Sequence, residues 1–113
     1  HFMLFRFPKD DKNFSWTSHV KNKMIQYRLS EQKIKTVLNN PARKEVGIAQ
    51  NTSAFMKRND TPKRKEEIWI MFQKKPKVSA VTIISAWRYP GISPMGKEIP
   101  IPEDILNELE SIE

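Results

Sequence analysis

Ile68-Trp69-Ile70-Met71-Phe72 is apolar at five successive positions, so neither face of the segment it forms belongs in water, and it reads as a central strand. Lys74-Lys75-Pro76-Lys77 supplies the turn that follows. Residues 78–89 then form the longest strand of the chain. On the other side, residues 45–49 and 54–57 read as two strands joined by the polar loop Gln50-Asn51-Thr52-Ser53, and residues 59–65 as a charged, proline-containing loop.

Upstream of residue 43 the period becomes helical. Thr17 or Ser18 can cap a first helix, and Trp16, Val20, Met24 and Tyr27 fall within one arc at 100° per residue. Ser30 caps a second helix through about Asn39, whose apolar face is Ile34, Val37 and Leu38; Pro41 stops it. Residues 3–7 read as a short edge strand and residues 9–13 as a polar turn. Ile101-Pro102-Glu103-Asp104 opens a last helix, with Ile105, Leu106, Leu109 and Ile112 as its apolar stripe. The expected architecture is a single α+β domain over residues 1–113. Two N-terminal helices pack on one face of a curled antiparallel sheet of about four strands, and a C-terminal helix follows.

Charge divides the chain. All 20 Lys and Arg lie within residues 1–97 against seven acids, a balance of +13, whereas residues 98–113 carry six acids and no cation. A basic body of this strength favours a polyanionic partner through counterion release. The acidic C-terminal helix is expected to dock on that body through Ile105, Leu109 and Ile112, with Glu103, Glu110 or neighbouring acids reaching its cations; the rival expectation is a helix that completes the core far from any site. The chain has no cysteine, so it has no disulfide and no thiolate metal site. With His19 the only histidine besides His1, zinc is not expected either. No apolar run approaches the roughly 20 residues of a membrane helix, no signal peptide is read at the start, and a cytoplasmic location is the default expectation.

Two groups of residues carry candidate chemistry. Trp87-Arg88-Tyr89 ends the apolar run Ile83-Ile84-Ser85-Ala86, setting a cation between two aromatic faces where the sheet should meet solvent. His19, Lys23 and Tyr27 recur every four residues on the first helix. The expected site joins His19, for proton transfer, to Lys23 and Arg88, for a phosphate. Trp87, Tyr89, Tyr27, Arg43 and Lys44 extend the nucleic-acid surface. Each has a structural rival: a hydrogen-bonding role for His19, packing for Tyr27 and Trp87, and for Arg88 an ion pair with Glu45, Glu67 or an acid of the last helix. Lys63, Arg64 and Lys65 read as a solvated loop that adds non-specific attraction.

The element order resembles a small bacterial family of unknown function grouped with the RelE/ParE/BrnT toxin-like fold. The resemblance rests on Ser18-His19-Val20, Lys23-Met24, Leu29-Ser30 and residues 37–41. It continues through Glu45-Val46-Gly47-Ile48-Ala49, Ile68-Trp69-Ile70-Met71 and residues 84–90, and spans roughly residues 16–94. Tyr27 stands where the family has a second arginine, and Arg28 where it has a glycine. The resemblance implies an RNA-binding, toxin-like protein without cofactor. The reaction it implies is metal-independent cleavage, in which a 2′-hydroxyl attacks the adjacent phosphate. The alternatives are a non-catalytic RNA-binding module and a domain whose basic groove holds the acidic peptide of an antitoxin-like protein.

Overall fold

The apolar run lies in the middle of a five-stranded sheet. In the computed structural model, described for residues 7–47, 51–96 and 98–109, the elements in chain order are β1 (Phe14–Trp16), α1 (Ser18–Tyr27), α2 (Glu31–Asn39), β2 (Arg43–Val46), β3 (Thr52–Arg58), β4 (Glu66–Gln73), β5 (Val81–Pro90) and α3 (Glu103–Leu109). The strand order is β1-β5-β4-β3-β2. β2 to β5 form the expected antiparallel meander, but β1 adds a fifth strand, parallel to β5.

The sheet is therefore mixed, with Trp16 ending a strand rather than opening the first helix. Side chains build β1 as much as periodicity does. Asp11 Oδ1 accepts from the amides of Asn13 and Phe14, and Asp10 Oδ1 from that of Trp16, all at 2.8 Å. Three residues are too few to show alternation, so the strand left no pattern to read. Of the edge strand expected at residues 3–7, residues 3–6 lie outside the described residues, and Phe7 is not in a strand. The β2–β3 connection lies earlier in the chain than expected, since β2 ends at Val46 and Thr52 and Ser53 already belong to β3. Gly47 is needed there: a Cβ would stand 2.2 Å from Thr52 Oγ1.

Two cores form, one on each face. Ile68 and Ile70 of β4 join Ile83 and Ala86 of β5 beneath Val20, Met24, Leu29, Ile34 and Val37. On the opposite face Trp69, Met71, Trp87, Ala54 and Met56 pack against Ile105 of α3, with Ile99 and Ile101 alongside. Trp69 and Trp87 sit opposite each other in the β4–β5 register and stack with ring centroids 6.1 Å apart. A bulge after Met71 skips Ile84, which pairs Met71 with Ser85 and turns Ser85 toward this second face.

The two N-terminal helices feed the same core, as expected, but they lie over different strands. α2 lies over β3 and β4, whereas α1 packs against β5. The chain passes from β1 into α1 through Thr17 alone. Its amide and hydroxyl both donate to Ile83 O, at 3.3 and 3.2 Å, and its hydroxyl also reaches Ile84 O at 3.0 Å. The same oxygen accepts from the Val20 amide at 3.0 Å, so one side chain caps α1 and fastens it to the strand. α1 thus gives Val20 and Met24 to the first core and turns His19 and Lys23 toward α3. At its other end Arg28 takes the left-handed conformation (φ 55°) and the Leu29 amide closes back on Met24 O at 2.9 Å.

Thr17→Ala removes the cap and the fastening together. A loss of about 1–2 kcal/mol is expected in urea unfolding, with Thr17→Ser recovering most of it.

Candidate anion-binding site

Lys23 and His19 lie four residues apart on α1, 6% and 8% exposed respectively. Their partners are an acid pair with the same spacing on α3. Lys23 Nζ donates to Asp104 Oδ2 at 2.5 Å and to Gln26 Oε1 at 3.0 Å, with Glu108 Oε1 at 3.9 Å. His19 Nδ1 bonds Glu108 Oε2. The two helices run antiparallel at this contact, each of these α1 side chains facing one carboxylate. An ammonium group this buried requires a nearby anion, and α3 provides it. Both carboxylates are half exposed, so each pair contributes only about 0–1 kcal/mol in spite of its geometry.

The charges set the protonation states around them. The Lys23 hydrogen bond, partly opposed by burial, holds the Asp104 carboxyl below its ordinary value. Tyr27, half-buried between the two cores, has its phenol pushed up, first by burial and then by the Asp104 charge. It is therefore a neutral hydrogen-bond donor across the physiological range.

His19 Nε2 lies 2.8 Å from Ser85 Oγ. With the Nδ1 proton directed at Glu108, Nε2 is left to accept from the Ser85 hydroxyl. The order hydroxyl, imidazole, carboxylate is that of an activated nucleophile. Ser85 is nevertheless fully buried in mid-strand, where no substrate atom reaches it while α3 is docked. What the site offers in this state is a buried imidazole and an ammonium directed at anionic oxygens.

The other expected residues lie elsewhere. Arg88 is not beside His19: its Nε donates to Tyr27 O at 2.6 Å, its Nη2 to Arg28 O at 3.1 Å and its Nη1 to Glu66 Oε1 at 2.7 Å. It binds the carbonyls at the C-terminus of α1, eight residues beyond His19, or roughly 12 Å along the axis. One phosphate bridges about 7 Å, so the two cannot share it. The ion-pair reading of Arg88 is the one found, with Glu66 in place of the acids expected.

Trp87 is fully buried against Trp69, so no base can stack on it; its Nε1–H is buried without an acceptor, which costs about 1–3 kcal/mol. Tyr89 is half-buried beside the same core. Arg43 is also buried, with Nε 2.5 Å from Glu45 Oε2, Nη1 2.8 Å from Ser93 Oγ and its guanidinium 5.1 Å from the Trp69 ring centre. Of the expected nucleic-acid residues, Lys44 alone is exposed, standing 5.3 Å over the Phe55 ring.

Sequence reasoning missed Ser85, and it read Glu67 only as a possible partner of Arg88, where the structure makes it a buried carboxylate bonded to other donors. Glu67 Oε1 accepts from Trp69 Nε1 (2.8 Å) and Ser93 Oγ (2.7 Å), while Oε2 accepts from the Ser93 amide (2.8 Å) and Arg58 Nη1 (3.1 Å). A Glu-Glu pair opening an apolar strand was the only signal for it, and that pattern does not separate a solvated end from a buried one. Of the acids expected to reach the basic body, Glu110 lies outside the described residues, as do Ile112 and the Leu109 side chain.

No family model matches the chain, and neither a curated protein nor a solved structure is significantly similar to it. Among the described residues no helix is long and apolar enough to cross a membrane, and no group of three His, Asp or Glu is placed to hold a metal ion.

Two outcomes follow from this geometry. Arg88→Ala leaves the end of α1 without its donors, and a loss of about 1–3 kcal/mol is expected in denaturant unfolding. Because the Asp104 carboxyl is held below its ordinary 3.8, the Lys23 pair gives its full stabilisation above that value and loses it as pH falls through the lowered one. The stability of Asp104→Asn should accordingly be lower than wild type near neutrality and fall less steeply in acid, measured as the urea midpoint against pH.

Proposed function

We propose that this chain is an RNA-binding protein of the toxin-like RelE/ParE/BrnT kind, in which Lys23 and His19 receive phosphate oxygens where α3 now holds carboxylates. The observation that carries the reading is the match of an ammonium and an imidazole on α1 to two carboxylates on α3. A phosphate diester offers the same anionic oxygens to the same donors. The +13 balance of residues 1–97 supplies the long-range attraction for a polyanion.

Cleavage without metal is part of the proposal. His19 would take the proton of the attacking 2′-hydroxyl as the O–P bond forms and return it to the 5′-oxygen as the other P–O bond breaks, and Lys23 would neutralise the developing charge. Arg88 has no part in it, being held at the far end of α1. One observation favours a second reading: the groove already holds an acidic amphipathic helix, so an acidic peptide from an antitoxin-like partner would suit the same cations.

The test is Asp104→Asn combined with Glu108→Gln, which frees Lys23 and His19 while keeping Ile105 in place. Binding to labelled single-stranded RNA should tighten several-fold at low salt, log K falling linearly with log salt. Lys23→Gln in that background should reverse the gain, and His19→Ala should abolish any cleavage seen on a gel. RNA binding absent at low salt in every variant would end the RNA reading and leave the acidic-peptide reading ahead.

A further inference from the structure

The first face of the sheet is not fully covered. α2 ends at Asn39, and beyond it the starts of β1, β3 and β5 and the end of β4 leave a cavity of about 340 Å³. Its walls are Phe14, Phe55, Phe72 and Leu38, all half-buried, with the Asn39 amide and Lys74 at its margin. Phe55 and Phe72 meet edge to face, ring centres 4.8 Å apart, so each stands fixed rather than free to collapse into the gap.

The rim is cationic. Lys44 stands 5.3 Å over the Phe55 ring and Lys35 5.1 Å over the Phe14 ring, whereas Lys74 lines the cavity with its ammonium donating to Val78 O. Among the described residues no acid lines the cavity, and Glu31 pairs with the rim lysine Lys35 at 2.7 Å. Aromatic faces interleaved with ammonium groups are what a base and its phosphates need together, and the Asn39 carboxamide adds a donor and an acceptor for a base edge.

We infer that this groove is a nucleobase subsite for single-stranded nucleic acid, with bases against Phe14, Phe55 and Phe72 and phosphates on Lys35 and Lys44. The inference rests on the RNA reading above but concerns a different surface, on the sheet face opposite the one that packs Ile105 of α3. It assigns the base contacts to half-buried phenylalanines in place of the buried Trp87.

Titration of the ¹⁵N-labelled full chain with a twelve-nucleotide single-stranded RNA, and separately with uridine monophosphate, tests it. Amide shifts should gather at Phe14, Leu38, Asn39, Phe55 and Phe72. Phe72→Leu, with its fold checked by circular dichroism, should bind the RNA about tenfold more weakly, as loss of one stacked base predicts, and Lys44→Gln should lower the salt slope by about one phosphate contact. RNA that binds with shifts confined to His19, Lys23 and their neighbours overturns the groove and leaves the RNA reading standing. Shifts at the groove with laurate but not with nucleotide overturn it in favour of an acyl ligand. Absence of RNA binding at low salt overturns both.

Discussion

A sheet whose central strands β4 and β5 are apolar on both sides must be covered on both sides, and this constraint orders the molecule. β4 alone buries Ile68 and Ile70 on one face and Trp69 and Met71 on the other, each with no exposure at all. The first face receives α2 and the inward stripe of α1. Among the described residues, the second is covered by α3 and the chain leading to it, through Ile99, Ile101 and Ile105. The unequal cover explains why polar chemistry collects on the second face. A seven-residue helix buries too little apolar surface to be held by packing alone, so acids on α3 and cations on α1 complete the seam.

Glu67 serves the same face from its other end. Its carboxylate accepts from two side chains and an amide belonging to Trp69 and Ser93, and from Arg58, so it faces donors on every side. Ser93 in turn accepts from Arg43. A buried carboxylate left with one donor missing would cost several kcal/mol; fully satisfied, it fastens the loop after β5 to the sheet and sets where the chain departs toward α3. The path of α3 over His19 and Lys23 thus depends on a group that lies outside the site.

Elements with a complete period were legible. Thr17 and Ser30 cap the helices expected of them, Pro41 ends α2, and the strands of the meander lie within a few residues of their expected bounds. β1 was not legible because it is three residues long and built by aspartate side chains. The placement of α1 was hidden for a related reason: its arc of Val20 and Met24 names a buried stripe without saying which surface receives it, and that surface was chosen by the parallel pairing of β1. For the site, the four-residue recurrence of His19 and Lys23 pointed to a shared face, and the acidity of residues 98–113 to a docking helix. Arg88 misled because a cation at a strand end looks the same in sequence whether it awaits a phosphate or binds helix carbonyls. Trp87 misled because a strand's last turns toward solvent are not marked in its composition.

The seam at α3 is also the least costly part of the structure to open. Seven residues are below the length at which a helix persists in water without tertiary contacts. Burial of Ile105 contributes about 1.5–3 kcal/mol, and the two half-exposed ion pairs add about 0–1 kcal/mol each. Against that hold, a polyanion that places several phosphates on the basic body gains from each counterion it releases. On the proposed reading, such a ligand would have only this hold of a few kcal/mol to overcome in displacing α3. Loss of the Asp104 and Glu108 pairs would shift it without touching the stacked Trp69 and Trp87, because Ile99 and Ile101 remain against that core. The opening step would be local, confined to the last helix, and both faces of the sheet would keep the packing that defines the fold.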